Sequence, residues 1–312
     1  LMTCSIGICL FPDDGEDADS LLKNADTAMY SAKERGRNQY QFFEPAMQAS
    51  IMRRLELDND LAQALDKGQM SVHYQPIAHA GDGRVFAYEA LLRWHHPTKG
   101  AIPPSEFIPL AEESGQIIPI TNFVLGDAAQ QAGIWLDSQG STPRIAVNLS
   151  GRVLDLVDVP HMVASALRAG PANIAWLELE LTESTLMEKH DSVRGVLDSL
   201  RKLGVSISID DFGTGYSSLA YLKAFPIDTL KIDRSFVIDL PLDADSAAIV
   251  RAIIALAHSL NLAVIAEGVE TEAQLQFLSA AGCEYIQGYL IGKPKPANKI
   301  GDPFLSSYHP VA

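Results

Sequence analysis

Cysteine is scarce and follows no ligand pattern. Cys4, Cys9 and Cys283 are three, an odd number at unrelated spacings, with no Cys-x-x-Cys pair. That excludes a disulfide scaffold or a zinc ribbon and leads to an expectation of buried thiols in a reducing, cytosolic setting. No run of about 18 apolar residues exists, so no membrane span is expected. No basic stretch leads into an apolar one near the start, so no signal peptide is visible. No Gly-x-Gly-x-x-Gly follows the first strand and no P-loop is present, which removes the usual nucleotide folds of open sheets. Positive charge is also in deficit: Lys plus Arg is 24 against 39 Asp plus Glu, a net charge of −15. Such a surface argues against binding a DNA or RNA duplex through its backbone. A small anionic ligand is still compatible, because a bound metal can invert the local field.

What is present is ordinary globular usage. The 312 residues are 47% hydrophobic and 20% charged, with 22 Gly and 17 Pro. That is enough for a large single domain, or a barrel with a smaller piece attached. The sequence opens at Leu1 directly in a strand-like run and reads as part of a longer chain.

Residues 1–44 read as strand, helix, strand, too little for an independent domain. Thr3 to Leu10 is β-branched and apolar, and Phe11 to Gly15 is a turn. Leu21, Leu22, Ala25, Met29 and Ala32 form a helical stripe, and Tyr40 to Phe43 a second strand. Residues 45–68 read as a join, with an amphipathic helix from Ile51 to Leu65 closed by Gly68. Strand-like runs then recur at 71–76, 84–93, 144–149, 176–181, 205–210, 229–233, 262–267 and 284–289, with helical stretches such as 120–137, 184–203, 245–260 and 271–281 between them. Alternating strand and helix implies a parallel sheet, and eight strands over residues 69–300 favour a closed, TIM-like (β/α)8 barrel. The run 84–93 is polar at several positions, which leaves its orientation open and allows for one antiparallel strand in the barrel. Residues 301–312 read as a tail.

Polar residues recur at one end of these strands. Glu89 lies late in the second; Asn148, Glu180, Asp210 with Asp211, and Glu267 end later ones; Lys231 with Asp233, and Gln287, lie late in two more. Barrel active sites form at that rim. Ionised carboxylates crowded there repel one another unless a cation compensates, and oxygen ligands with one Asn suit Mg²⁺ or Mn²⁺. Other features take a structural reading. Asp211-Phe-Gly lacks the companions of a kinase motif. Gly213-Thr-Gly215 reads as a flexible loop, His95-His96 as a surface turn, the acidic run 13–19 as solvated or capping, and Trp94, Trp135 and Trp176 as core.

With these residues in hand, the chain resembles the EAL-domain family of cyclic-di-GMP phosphodiesterases. The signature Glu89-Ala90-Leu91 stands with Tyr74-Gln75-Pro76, Asn148-Leu-Ser150, Glu180-Leu-Thr-Glu183, Asp210 to Ser218, Lys231-Ile-Asp233, Glu267-Gly-Val-Glu270 and Gln287-Gly-Tyr289. Residues 1–44 resemble instead the C-terminal end of a GGDEF, diguanylate cyclase-type domain, through Ser5-Ile-Gly7, Ala25 to Lys33 and Gly36-Arg-Asn38. The GGDEF signature itself is absent, so cyclase activity is not expected of this chain, and an upstream GGDEF or sensor region is expected in the parent.

The resemblance implies hydrolysis of cyclic-di-GMP to linear pGpG with two ions, Mg²⁺ or Mn²⁺, and inhibition by Ca²⁺. Glu89, Asn148, Glu180 and Asp210 resemble the ligands of one metal; Asp210, Asp211 and Glu267 those of the second. Lys231 resembles the catalytic lysine, acting by charge, by holding water or as a base, with Asp211 and Glu267 beside it and Asp233 near enough to orient it. Glu183, Asp233 and Glu270 resemble loop anchors, and Gln75, Arg93 and Gln287 substrate contacts. A homodimer through the barrel near residues 211–218 and a cytoplasmic setting are also implied. The basic stretch Ile291 to Pro296 departs from the family's usual pattern and bears on contacts at the substrate's edge. Two other readings are carried: a receptor that binds cyclic-di-GMP without cleaving it, and a lyase or isomerase barrel of the enolase type with Lys231 as base.

Overall fold

The structure, a computed structural model, describes residues 3–34, 36–168, 170–188, 190–215 and 222–305. At the N-terminal end, β1 (Ile6–Ile8) and β2 (Tyr40–Phe42) pair in parallel, joined by α1 (Ala18–Glu34). The crossover sits very close to the strand: a Cβ on Gly7 would fall 1.9 Å from the Ala25 carbonyl oxygen, so only glycine fits there. The acidic run before α1 does cap it, with Ser20 N donating to Asp17 Oδ1 at 2.8 Å. Of the three thiols only Cys283 is buried; Cys4 is exposed, correcting the expectation of buried cysteines.

The connecting helix α2 (Pro45–Leu61) starts earlier than the apolar spacing predicts, because Pro45 occupies its first turn, where a missing N–H costs nothing. It buries only Met47, Leu57 and Leu61. Its far end is tied to the barrel by Asp60, which takes Lys99 Nζ at 2.6 Å and lies 3.3 Å from His96 Nε2. His96 is therefore folded in rather than left at a surface turn: the backbone N–H of Lys99 donates to its Nδ1 at 3.2 Å, leaving Nε2 to carry the proton toward Asp60.

The barrel is a closed ring of eight strands in the order β3 (Met70–His79), β4 (Val85–His96), β6 (Arg144–Asn148), β7 (Leu177–Thr182), β8 (Ser206–Phe212), β9 (Thr229–Ile232), β10 (Ala263–Ala266) and β11 (Tyr285–Gln287), which returns to β3. β5 (Gly100–Ile102) and β12 (Lys295–Pro296) extend it at β4 and β3. Seven strands run parallel and β3 runs against both neighbours. The strand left unoriented by its polarity, 84–93, is thus parallel to β6, and the reversed one is its predecessor. The cause is the link between them: residues 80–84 are too few for a crossover and can only make a hairpin.

Helices surround the ring: α3 (Pro104–Ser114), α4 (Ile117–Gln139), α5 (Gly151–Leu156), α6 (Val159–Leu167), α7 (Glu183–Glu188), α8 (His190–Leu203), α9 (Arg234–Val237), α10 (Ala244–Ser259) and α11 (Glu272–Ala280). On β7, Leu177, Leu179 and Leu181 join the main core, while Glu178 and Glu180 alternate with them on the other face. Trp94, Trp135 and Trp176 are all buried, as core residues. Among the described residues no helix is long and apolar enough to cross a membrane.

Candidate active site

Lys231, on β9, is fully buried and faces four carboxylates. Its Nζ lies 2.6 Å from Glu267 Oε1, 2.9 Å from Glu180 Oε2, 3.3 Å from Asp210 Oδ1 and 4.0 Å from Glu89 Oε2. These residues come from β4, β7, β8 and β9 and from the residue just past β10, all parallel strands of the ring, so they share a rim. Burial pulls the lysine toward its neutral form, but Asp210, Glu180, Glu267 and Glu89 overcome it and hold its pKa well above the ordinary value. Lys231 is an ammonium here. Burial likewise raises Glu180 well above the usual carboxylate range against the pull of Lys231, and pushes Glu267 up to about 8.

An amide network holds the other side. Asn148 Nδ2 donates to Glu89 Oε1 at 2.7 Å, and Gln287 Nε2 donates to Glu89 Oε2 at 2.6 Å and to Gln75 Oε1 at 3.3 Å. Gln75 Nε2 donates in turn to the Gly292 carbonyl at 3.2 Å. Gln75 sits on the reversed strand, directly opposite Glu89 in the β3–β4 pair.

Three residues are placed as a cation site would need. Oxygens of Asp210, Asp211 and Glu267 lie within 4.8 Å of one another. Glu180 Oε1 is buried and has no hydrogen-bond partner among the described residues, an unsatisfied acceptor on the residue that also meets Lys231. All-oxygen donors of this kind fit a hard divalent ion. Beside them opens a cavity of about 230 Å³, walled by Gln75, Glu89, Asp210, Glu267, Gln287 and Tyr289 among others. A larger groove, about 610 Å³, lies between α1, α2 and α3 and holds none of these groups.

A model of the EAL domain matches residues 58–294, and one described as the diguanylate cyclase GGDEF domain matches residues 1–39. The chain belongs to the EAL-domain family. It is 48% identical to the bifunctional diguanylate cyclase/cyclic di-GMP phosphodiesterase MucR of Pseudomonas aeruginosa over 299 residues, 96% of this chain and 44% of that protein. It is 43% identical to the cyclic di-GMP phosphodiesterase PdeR of Escherichia coli over 295 residues, 95% of this chain and 44% of that one. The solved structure of the PaMucR phosphodiesterase in complex with c-di-GMP aligns with a TM-score of 0.76 at 48% identity, covering 78% of this chain and 99% of that one. The chain spans less than half the length of these curated relatives.

Within this EAL barrel the remaining candidate residues take distinct places. Asp211 is a non-glycine residue at φ 55; its N–H donates to Asp210 Oδ1 at 3.0 Å and its carbonyl accepts from Thr214 Oγ1 at 2.8 Å. Burial first, then Asp210, raises its pKa. Buried Glu183 accepts from Gly213 N at 2.9 Å, so the start of the loop is held, not loose; Tyr216, Ser217 and Ser218 lie outside the described residues. Asp233 caps α9, accepting from Ser235 N at 3.0 Å, and is not among the carboxylates within 4.0 Å of Lys231. Its charge is felt instead by Asp211. Glu270 is exposed and pairs with Arg234. Arg93 is half-buried and donates to the Leu92 carbonyl at 2.8 Å, outside the cavity wall. Arg234, which does line the cavity, was not singled out by its sequence; its position directly after Lys231-Ile-Asp233 was the available signal.

Proposed function

We propose that this chain hydrolyses one phosphodiester bond of cyclic-di-GMP to give linear pGpG, using two divalent ions, Mg²⁺ or Mn²⁺. The observation that carries this reading is Lys231 buried against Glu180, Glu267 and Asp210, with the Asp210, Asp211 and Glu267 oxygens within 4.8 Å beside an open cavity. The relatives named cyclic di-GMP phosphodiesterases, and the related structure holding c-di-GMP, support the choice of substrate.

Glu89, Asn148, Glu180 and Asp210 would hold one ion and Asp210, Asp211 and Glu267 the other. When bound, such a pair supplies charge neutralisation of the phosphodiester and a lowered pKa for water. The chain's own groups do the rest. Lys231 Nζ stands 2.6 Å from Glu267, 2.9 Å from Glu180 and 3.3 Å from Asp210, placed to hold the attacking water, to offset charge building on phosphate oxygens or to take a proton from the water. Gln287 and Asn148 fix the Glu89 carboxylate, Gln75 in turn accepts from Gln287, and Gln75 and Gln287 line the cavity as contacts for the dinucleotide. Glu183 secures the backbone behind Asp211 through Gly213. The groups that would identify an inactive receptor by their loss are all present.

This reading also divides the chain into a GGDEF remnant over 1–44, a join over 45–68, the phosphodiesterase barrel over 69–300 and a tail over 301–312. It expects Ca²⁺ to inhibit, a homodimer through the barrel near residues 211–218, an upstream regulatory region in the parent and a cytoplasmic setting.

The test is incubation of the purified chain with cyclic-di-GMP in Mg²⁺, Mn²⁺, Ca²⁺ or EDTA, with products resolved by HPLC. Formation of pGpG in Mg²⁺ or Mn²⁺ and none in EDTA is expected. Tight binding with no product under any metal would overturn hydrolysis in favour of a receptor.

A further inference from the structure

Arg234 opens α9 immediately after the β9 strand that carries Lys231, and its side chain runs across the neighbouring loop. Gly268 explains the path. A Cβ there would fall 2.2 Å from Arg234 Cγ and 2.8 Å from its Cβ and Cδ, so the arginine stem fills the space a side chain would take. Gly268 also sits at φ 71, a conformation that other residues adopt only with strain. Beyond it, Arg234 Nη2 meets Glu270 Oε1 at 2.9 Å.

The segment beneath is the exit from β10. Glu267 N donates to the Ile232 carbonyl at 3.1 Å, continuing the ladder with β9, and Val269 N donates to the Gln287 carbonyl at 3.0 Å. Glu270 N and Thr271 N both donate to Gln274 Oε1, at 2.7 and 2.9 Å. The backbone is thus tied on either side of Gly268, which has no side chain to fix its own position. Arg234 is the group that covers it.

We propose that Arg234 is a positioning residue: laid over Gly268 and paired with Glu270, it fixes the Glu267 carboxylate where a divalent ion is held together with Asp210 and Asp211. This rests on the metal reading of Glu267 given above. The exposed ion pair alone is a weak tie. The stem packed on Gly268 is the stronger part, so truncating Arg234 costs more than neutralising Glu270.

The test measures Mn²⁺ binding to the full chain by calorimetry, without substrate, alongside kcat and KM. For R234A the weaker ion's Kd rises about tenfold, the scale for partners of metal ligands, and the Mn²⁺ midpoint for activity moves with it. At saturating Mn²⁺ the KM for cyclic-di-GMP stays within about twofold. R234K, which keeps the stem over Gly268, recovers most of the affinity, and E270Q shows a smaller shift in the same direction; both report should R234A fail to fold. Unchanged Mn²⁺ affinity in R234A overturns the proposal, and a raised KM in its place makes Arg234 a substrate contact. E267Q separates the two levels. If E267Q binds Mn²⁺ like the wild type, the metal reading of Glu267 falls and the positioning role with it. If E267Q binds weakly and R234A normally, only the positioning role falls.

Discussion

Glu183, the first residue of α7, reaches across the rim to accept a hydrogen bond from the backbone N–H of Gly213 at 2.9 Å. Two strands are thereby joined behind Asp211. Gly213 is at φ 101, and a Cβ there would come 2.8 Å from the Phe236 ring, so the chain can turn at this point only with glycine. E183A is expected to lower kcat on the order of tenfold or more, in the range seen for partners of metal ligands. E183Q keeps an acceptor at the same place and retains most of the rate. Steady-state assays in saturating Mg²⁺ decide it, and a wild-type kcat in E183A would remove the anchor role.

Removing Lys231 separates catalysis from stability. K231M should lower kcat by about 10²–10³, the loss expected for one preorganised donor. It also leaves buried Glu180, with half-buried Glu267 beside it, without the countercharge, which costs about 3 kcal/mol in urea unfolding in EDTA above pH 8, where Glu267 is ionised. Adding Mg²⁺ should restore much of that stability and none of the rate. A variant that turns over normally would show that Lys231 is structural only.

The metal-free protein is expected to lose stability as pH rises from about 5 to 8. The sign follows from Glu267, whose folded pKa is raised from 4.5 to about 8. Between those values the folded state binds more protons than the unfolded chain, so the contribution is fully present below the unfolded pKa and is lost as pH rises through the folded one. Lys231, raised above its ordinary value, is protonated in both states throughout this window. Glu180 and Asp211, also raised, act in the same direction, so thermal melts in EDTA should fall with pH and fall less steeply in E267Q. Saturating Mg²⁺ should flatten them, by binding the ionised form. A pH-independent Tm in EDTA would contradict the burial of Glu267.

At the opposite end of the ring, Arg144 Nη1 and Glu178 Oε2 are 2.9 Å apart, with the carboxylate almost wholly buried. The guanidinium also lies 5.1 Å from the centre of the Phe86 ring, which stacks on Tyr285. R144A would strand the Glu178 charge, at a cost of about 3 kcal/mol. E178Q keeps a hydrogen-bond acceptor and costs less. Because the pair sits away from the rim, kcat per folded molecule should not change. Urea titration with parallel assays checks both statements.

The barrel and its polar rim were readable because each strand is an apolar run whose last residues are not: Ile145 to Asn148 and Val205 to Asp210 place a carboxylate or amide where sheet and loop meet. What could not be read lay in tertiary pairings. The reversal of β3 depends on the length of a turn, not on the composition of either strand. His96 is drawn inward by Asp60 on a helix remote in sequence, which no local pattern of His95-His96-Pro97 encodes. Asp233 is engaged as a helix cap because Ser235 follows it, and Arg234 finds Glu270 across two loops. The Pro45 start of α2 was legible in principle, since proline belongs in a first helical turn.

The reversed β3 also divides the rim mechanically. Gln75 and Glu89 face each other in mid-strand, with ladder bonds above and below both. Asp211 and Glu267 instead stand at or just past their strands, where a loop takes over. One half of the rim is thus held in mid-ladder, and the other half at strand ends by single ties, Gly213 N to Glu183 and Val269 N to the Gln287 carbonyl. Backbone amide exchange should be slowest at Gln75 and Glu89 and faster in the loops at Thr214 and Gly268, with any adjustment to a ligand taken up on the side of Asp211 and Glu267.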